Sequence, residues 1–174
     1  MDVKQLTLYV DTKRCMGCRA CEIACKMEHD LPAGPRYITV KESEAGQGLN
    51  ERFEYLPSPC LHCGDAPCIK VCPTAALSKR PDGIVLVDSG KCAGCHKCLW
   101  ICPVGAPQFG ADGHMHKCDL CVRRIDEGME PACMHACPAE AILCGSEEEI
   151  SVTLSERYRA IHSKPCYEVT FVKR

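Results

Sequence analysis

The chain has 174 residues and a formal net charge of −2, enough for one compact domain or two very small ones, with no basic excess to argue for nucleic acid. Its hydrophobic fraction of 46% counts all 18 cysteines, and setting them aside leaves roughly 36% apolar residues, a thin core by globular standards. Aromatics are only 5%, with Trp100 the single tryptophan, so a chain of this composition needs disulfides, metals or a partner to hold it together.

In chain order, Met1 to Val10 lacks the apolar core and small-residue cleavage site of a secretory signal. The longest apolar runs, such as Ile84-Val85-Leu86-Val87, are far too short to span a bilayer. The expectation is a cytoplasmic protein without direct membrane insertion, its thiols reduced and free for metal. Leu6–Val10 reads as a short strand leading to a first cysteine group, Cys15, Cys18, Cys21 and Cys25, with a short helix over Ala20–Met27. Pro32 to Gly48 is rich in proline, glycine and charge and reads as connection. A second group follows at Cys60, Cys63, Cys68 and Cys72, then the turn Pro81-Asp82-Gly83 and a strand over Gly83–Val87. The third group is Cys92, Cys95, Cys98 and Cys102, with a short helix over Lys97–Ile101; the fourth is Cys118, Cys121, Cys133 and Cys137. Ser146 followed by Glu147, Glu148 and Glu149 resembles a capping box opening a helix, which Pro165 would end before a last strand, Tyr167–Val172.

The groups repeat in two kinds. Leu8-Tyr9-Val10-Asp11 leads, four residues after the Asp, into Cys15-Met16-Gly17-Cys18, and Leu86-Val87-Asp88 leads likewise into Cys92-Ala93-Gly94-Cys95. The second and fourth groups each have a CxxC, a variable spacer, a proline near the third cysteine, and a Cys-Pro four residues beyond it. Each then runs into a short apolar turn, Thr74-Ala75-Ala76-Leu77 and Ala139-Glu140-Ala141-Ile142-Leu143.

A cubane cluster offers four irons, each needing a thiolate from a different direction. Cysteines at i, i+3 and i+6 on a looping backbone converge on three of them, and the fourth cysteine of a C-x2-C-x2-C-x3-C-P run ligates a neighbouring cluster. Gly17 and Gly94 between the first two ligands let the backbone turn tightly, and Pro73, Pro103 and Pro138 stiffen the exits. Disulfides do not require three cysteines within seven residues, and no secretory signal accompanies them. Structural zinc prefers two separated CxxC pairs; the fourth group alone could pass for such a site, but the set could not. Four [4Fe-4S] clusters of about −2 each would take the chain to about −10. Lys13, Arg14, Arg19, Lys26, Lys91, Lys97 and Lys117 flank the motifs, either to offset that charge or simply as solvated residues. His62 and His96 lie between ligands and read as surface or hydrogen-bonding residues, Trp100 as packing over a cluster, and Cys144 and Cys166 as buried small hydrophobes. No nucleophile–base pair, phosphate loop or flavin motif is visible, so the chain reads as non-catalytic.

With these residues in hand, the chain resembles the four-cluster iron–sulfur subunits of dimethyl sulfoxide reductase-type molybdenum and tungsten enzymes, over residues 5 to 145. The stretches that carry the resemblance are Cys15-Met16-Gly17-Cys18-Arg19-Ala20-Cys21-Glu22-Ile23-Ala24-Cys25-Lys26, Pro59-Cys60-Leu61-His62-Cys63, Cys102-Pro103-Val104-Gly105-Ala106-Pro107-Gln108 and Lys117-Cys118-Asp119-Leu120-Cys121. Gly128 to Cys133 and Cys137-Pro138 complete them. Its compactness is also similar to the small ferredoxin-like subunits of tungsten aldehyde oxidoreductase-type complexes. The resemblance implies a nested ligand pattern: Cys15, Cys18 and Cys21 with Cys137; Cys118, Cys121 and Cys133 with Cys25; Cys60, Cys63 and Cys68 with Cys102; Cys92, Cys95 and Cys98 with Cys72. The repeat by itself also fits sequential pairing of the first group with the second. The expected fold is α+β, two ferredoxin-like modules related by a pseudo-twofold repeat, the inner (34–110) inserted into the outer (1–33 and 111–146), with 147–174 as a C-terminal extension. The expected function is to relay single electrons to or from a large molybdenum- or tungsten-pterin oxidoreductase subunit, with a further donor or acceptor subunit at the other end. The alternatives are a free-standing polyferredoxin or hydrogenase electron-transfer subunit and, more remotely, a zinc-stabilised interaction module.

Overall fold

A computed structural model describes residues 5–46, 48 and 51–162. Cys166, Pro165 and the predicted strand Tyr167–Val172 lie outside them. Every cysteine group has one strand before it and one after. The first group, with helix α1 (Ala20–Glu28), lies between β1 (Thr7–Val10) and β2 (Ile38–Ala45). The second, with α2 (Pro67–Val71), lies between β3 (Arg52–Pro59) and β4 (Leu77–Lys79). The third, with α3 (Lys97–Ile101), lies between β5 (Val85–Val87) and β6 (Gln108–Phe109). The fourth, with α4 (Val122–Asp126) and α5 (Ala132–His135), lies between β7 (Met115–His116) and β8 (Ile142–Gly145), after which α6 (Glu147–His162) closes the described chain.

The strands pair across the connections, antiparallel: β2 with β3 from Ile38 opposite Pro59 to Ala45 opposite Arg52, β4 with β5, and β6 with β7. β8 then returns to β1, setting Leu8 opposite Cys144 and Val10 opposite Ile142, so the pairing closes on itself. The helices follow the same logic, α1 packing on α5 and on β2, and α2 on α3. The first group therefore meets the fourth, and the second meets the third.

The core is divided into small clusters that the cysteines themselves help to fill. Cys21, Cys25, Ile38, Val40, Cys133 and Ile142 form one; Ala66, Leu77, Val85, Cys98 and Met115 a second; Cys60, Ala106 and Cys118 a third, lying where the second, third and fourth groups meet. No apolar cluster of ordinary size spans the described residues, as the composition foretold.

The segment Pro32 to Gly48 is not mere connection. It contains β2, whose Ile38 and Val40 face the core while its outer half, Lys41 to Glu44, is exposed. The buried alternation lasts only from Ile38 to Val40, and the charged residues after it lie along a solvated ribbon, which is why the stretch reads as loop. The capping box at Ser146 forms as expected: the Ser146 amide donates to Glu149 Oε2 at 2.9 Å, and the Glu149 amide donates to Ser146 Oγ at 3.3 Å.

Candidate iron–sulfur centres

The sequence repeat is also a backbone repeat. In the first and third groups the left-handed residues are Gly17 (φ +71°) and Gly94 (φ +63°), followed by Arg19 (+59°) and His96 (+60°) at the mouths of α1 and α3. In the second and fourth groups the same position inside the CxxC is left-handed at His62 (+44°) and Leu120 (+59°), followed in the fourth by Cys121 (+49°). Non-glycine residues in this region are uncommon and persist only where the surroundings over-determine them. At Gly94 a Cβ would meet the Gly113 carbonyl oxygen at 2.5 Å, so only glycine fits between the ligands there.

The exits repeat as well. After Cys72-Pro73, Cys102-Pro103 and Cys137-Pro138 the chain turns through a left-handed residue (Ala75, Gly105 and Glu140). Each turn aims the following amide back at the cysteine: Ala76 N–H to Cys72 Sγ, Ala106 N–H to Cys102 Sγ and Ala141 N–H to Cys137 Sγ, all at 3.3 Å. Met115 N–H donates to Cys92 Sγ and Leu120 N–H to Cys118 Sγ, both at 3.4 Å. Donors aimed at sulfur favour the thiolate over the thiol, the form a cluster needs. At Cys72, burial works against ionisation, yet the Thr74 hydroxyl and the amides of Thr74, Ala76 and Leu77 hold the thiol below its usual range. The signal for these turns is present in the sequence, an alanine four residues after each Cys-Pro cysteine.

Cysteines from different groups lie together. Burial pushes Cys21 up to about 11, with Glu22, Cys137 and Cys15 adding to the rise. Burial likewise lifts Cys25 and Cys133 far above the ordinary thiol range, and in both cases Cys118 and Cys121 are the next contributors. Cys118 is raised to about 12 by burial. Cys60 and Cys68 are raised by burial too, each with Cys102 close enough to add to the effect. Cys98 is pushed up to about 11, chiefly by burial and then by Cys92 and Cys95, and one cavity is lined by Cys72, Cys92, Cys95 and Cys98 together. Cys63 packs in the apolar cluster around Ala66, and Cys18 lies exposed between Cys15 and Cys21.

All 17 described cysteines are free. Gathered, largely buried or half-buried thiols that do not pair, several of them met by amide donors, form a donor set suited to a cationic iron–sulfur core, which would relieve the burial that keeps the inner ones protonated. Such a core supplies one-electron chemistry; the protein supplies ligands, donors and exclusion of water. A disulfide framework fits poorly, because none of the described cysteines is bonded, and zinc throughout fits poorly because the first and third groups each present a third cysteine at i+6, which a site of two CxxC pairs does not use.

Several neighbouring residues differ from their reading in the sequence. Trp100 does not pack over a cluster: it is 86% exposed, on the outer side of α3. Of its two readings, surface or hydrogen-bonding, His62 takes the second: it is buried, its Nδ1 accepting from Val85 N–H at 2.9 Å, and burial with Lys117 and Lys79 pulls it down to about 3. Lys117, among the flanking cations, is also buried, its ammonium donating to the carbonyls of Val85 and Cys118. His96 is exposed and stacks on Phe109 at 3.7 Å. Cys144 behaves as expected, a half-buried thiol on β8 that burial raises to about 11. One contact has no signal in the sequence: His29 Nε2 lies 3.5 Å from Cys121 Sγ and 3.3 Å from Asp119 Oδ1. Among the described residues no helix is long and apolar enough to cross a membrane.

Gathered cysteines on a repeated strand–loop–helix frame define an iron–sulfur electron carrier. Two families, both described as 4Fe-4S dicluster domain, match residues 51–147 and 14–76. The chain is 41% identical over 155 residues to the probable anaerobic dimethyl sulfoxide reductase chain YnfG of Escherichia coli, covering 84% of this chain and 76% of that protein. It is 38% identical over 179 residues to the formate dehydrogenase iron-sulfur subunit of Wolinella succinogenes, covering 88% and 87%. It is also 38% identical over 180 residues to a sulfite dehydrogenase subunit of Allochromatium vinosum, covering 88% and 75%. The chain belongs to the 4Fe-4S dicluster family of iron–sulfur electron-transfer subunits.

Proposed function

We propose that the chain binds four [4Fe-4S] clusters and relays single electrons through them between a molybdenum- or tungsten-pterin catalytic subunit and a further donor or acceptor. The observation that carries this is the company kept by the last cysteine of each run. Cys25 lies with Cys118 and Cys121, Cys137 with Cys21, Cys102 with Cys60 and Cys68, and Cys72 with Cys92, Cys95 and Cys98. That supports nested ligand sets over sequential ones, and with them an inner module of 34–110 inserted into an outer one of 1–33 and 111–146. The remaining 147–174 are an extension.

On this reading the clusters fall in a row. The outer set of Cys15, Cys18, Cys21 and Cys137 comes first, then Cys25 with Cys118, Cys121 and Cys133. Next is the set of Cys60, Cys63, Cys68 and Cys102, and last Cys72 with Cys92, Cys95 and Cys98. The middle link is supported by the packing of Cys60 against Cys118 through Ala106. Among the described cysteines Cys18 and Cys95, one in each terminal set, are the exposed ones, whereas Cys25, Cys118, Cys121 and Cys133 are all buried. A relay with exposed cysteines at its two ends and none in its two middle sets suits docking between two redox partners. The relatives, named as chains or subunits of reductases and dehydrogenases, support a large catalytic partner. Free thiols suit a reducing, cytoplasmic compartment.

Two experiments test this. Replacing Cys137 by Ser should alter the cluster held by Cys15, Cys18 and Cys21 and leave the one held by Cys118 and Cys121 intact; the reverse outcome would refute nesting. Native anaerobic purification should bring down a large subunit containing molybdenum or tungsten, whereas a stable, fully loaded monomer without one would favour a free polyferredoxin.

A further inference from the structure

His62 presents a polar atom that the protein itself leaves unused. The residue is 4% exposed and lies between Cys60 and Cys63. Its Nδ1 accepts the Val85 amide at 2.9 Å, so Nδ1 holds the lone pair and the proton of the neutral ring is on Nε2. That Nε2 is fully buried and meets no hydrogen-bond partner. A buried N–H without an acceptor is costly, so its presence between two cluster cysteines points to an acceptor the polypeptide does not supply.

The same peptide of Val85 carries a second polar group. Its carbonyl accepts from the Lys117 ammonium, which also donates to Cys118 O at 2.8 Å. Lys117 is 3% exposed and Val85 1%. One residue of β5 thus ties the second cysteine group to the fourth through two buried side chains, at the place where Cys60 and Cys118 pack together. Both acceptors of Lys117 are carbonyls, which suits a protonated amine, and an ammonium held here lies beside the two middle ligand sets.

Resting on the ligand sets proposed above, we infer that His62 Nε2–H donates to a sulfur of the cluster bound by Cys60, Cys63, Cys68 and Cys102, and that Lys117 places a positive charge at the same junction. Both stabilise the reduced, more negative cluster over the oxidised one, so they raise its electron affinity. The device marks one middle cluster of the row as a site where an arriving electron is held rather than merely passed.

The test is a potentiometric titration followed by EPR on the anaerobically purified full-length chain, with whatever subunits accompany it. His62→Phe, which keeps a buried ring and loses the N–H, should weaken the electron affinity of one cluster about tenfold, a fall of about 59 mV for a one-electron couple, and leave the others unmoved. His62→Gln, which keeps a side-chain N–H, should recover much of that shift, and Lys117→Met should lower the same midpoint. In the unsubstituted protein labelled with 15N-histidine, that cluster should show a histidine nitrogen coupling when reduced, which His62→Gln removes. A loaded His62→Phe protein with every midpoint unchanged would overturn the inference, as would the absence of any such coupling, a readout that stands even if His62→Phe fails to assemble. An unsubstituted protein lacking a cluster at the second group would instead overturn the ligand reading on which the inference rests.

Discussion

A buried carboxylate beside anionic thiolates is costly unless every oxygen is partnered, and Glu22 shows the arrangement that meets the cost. It follows Cys21 in α1, is 7% exposed, and accepts Val40 N–H at 2.6 Å and Arg36 Nη1 at 2.9 Å, with Arg19 Nη1 at 3.7 Å. One side chain thereby ties α1 to the first residues of β2 and fixes the loop that carries three ligands. Glu22→Ala strands the Val40 amide in the core and should cost about 2 kcal/mol, seen as a lower thermal midpoint of the loaded protein. Glycine is required more strictly in the third group than in the first. A Cβ at Gly94 strikes the fixed backbone of Gly113, whereas one at Gly17 strikes the ring of Tyr55, a half-buried side chain rather than backbone. Gly94→Ala should therefore lose iron or lower the thermal midpoint more than Gly17→Ala does, each by ~1 kcal/mol or more from the left-handed backbone alone. Equal losses from the two would show that the backbone contact is not what matters.

At the scale of elements, each unit is a strand, a cysteine loop, a short helix and a strand, and none of these pieces would hold alone. The helices α2 to α5 run only four or five residues, too short to persist without packing. By contrast α6 has sixteen residues, and its start rests on the Ser146–Glu149 box. Ser146→Ala should cost about 1 kcal/mol and show as faster amide exchange in the first turn of α6, with cluster content unchanged. Much of this was legible in advance: β1, α1 and α3 fall within a residue or two of their expected bounds because the cysteine spacing and flanking apolar runs fix them. What could not be read were features that depend on partners far away in sequence. The inward pair Ile38 and Val40 is hidden among charges that only the pairing with β3 makes sense of. His62 and Lys117 look like ordinary polar residues until Val85, 23 and 32 positions away, is seen to hold both. Trp100 reads as packing over a cluster, and nothing local says that α3 turns it outward.

Across the whole molecule, metal replaces the missing core. The buried apolar clusters are few and built partly of cysteine, so the folded chain depends on ligation for much of its stability. Removing iron with a chelator under anaerobic conditions should abolish both the visible absorbance and the cooperative thermal transition; an apoprotein that keeps its far-ultraviolet dichroism and still unfolds cooperatively would show that packing suffices. On the function proposed above, all four cysteine groups hold cubane clusters in one continuous row, and the fourth, with its long spacer between Cys121 and Cys133, departs furthest from the compact cluster spacing. The most direct measurement is the iron and acid-labile sulfide content of the anaerobically reconstituted full-length chain. Four complete ligand sets predict about sixteen of each per chain. A value that settles at about twelve after full reconstitution would contradict it, leaving one group without a cubane and the row broken.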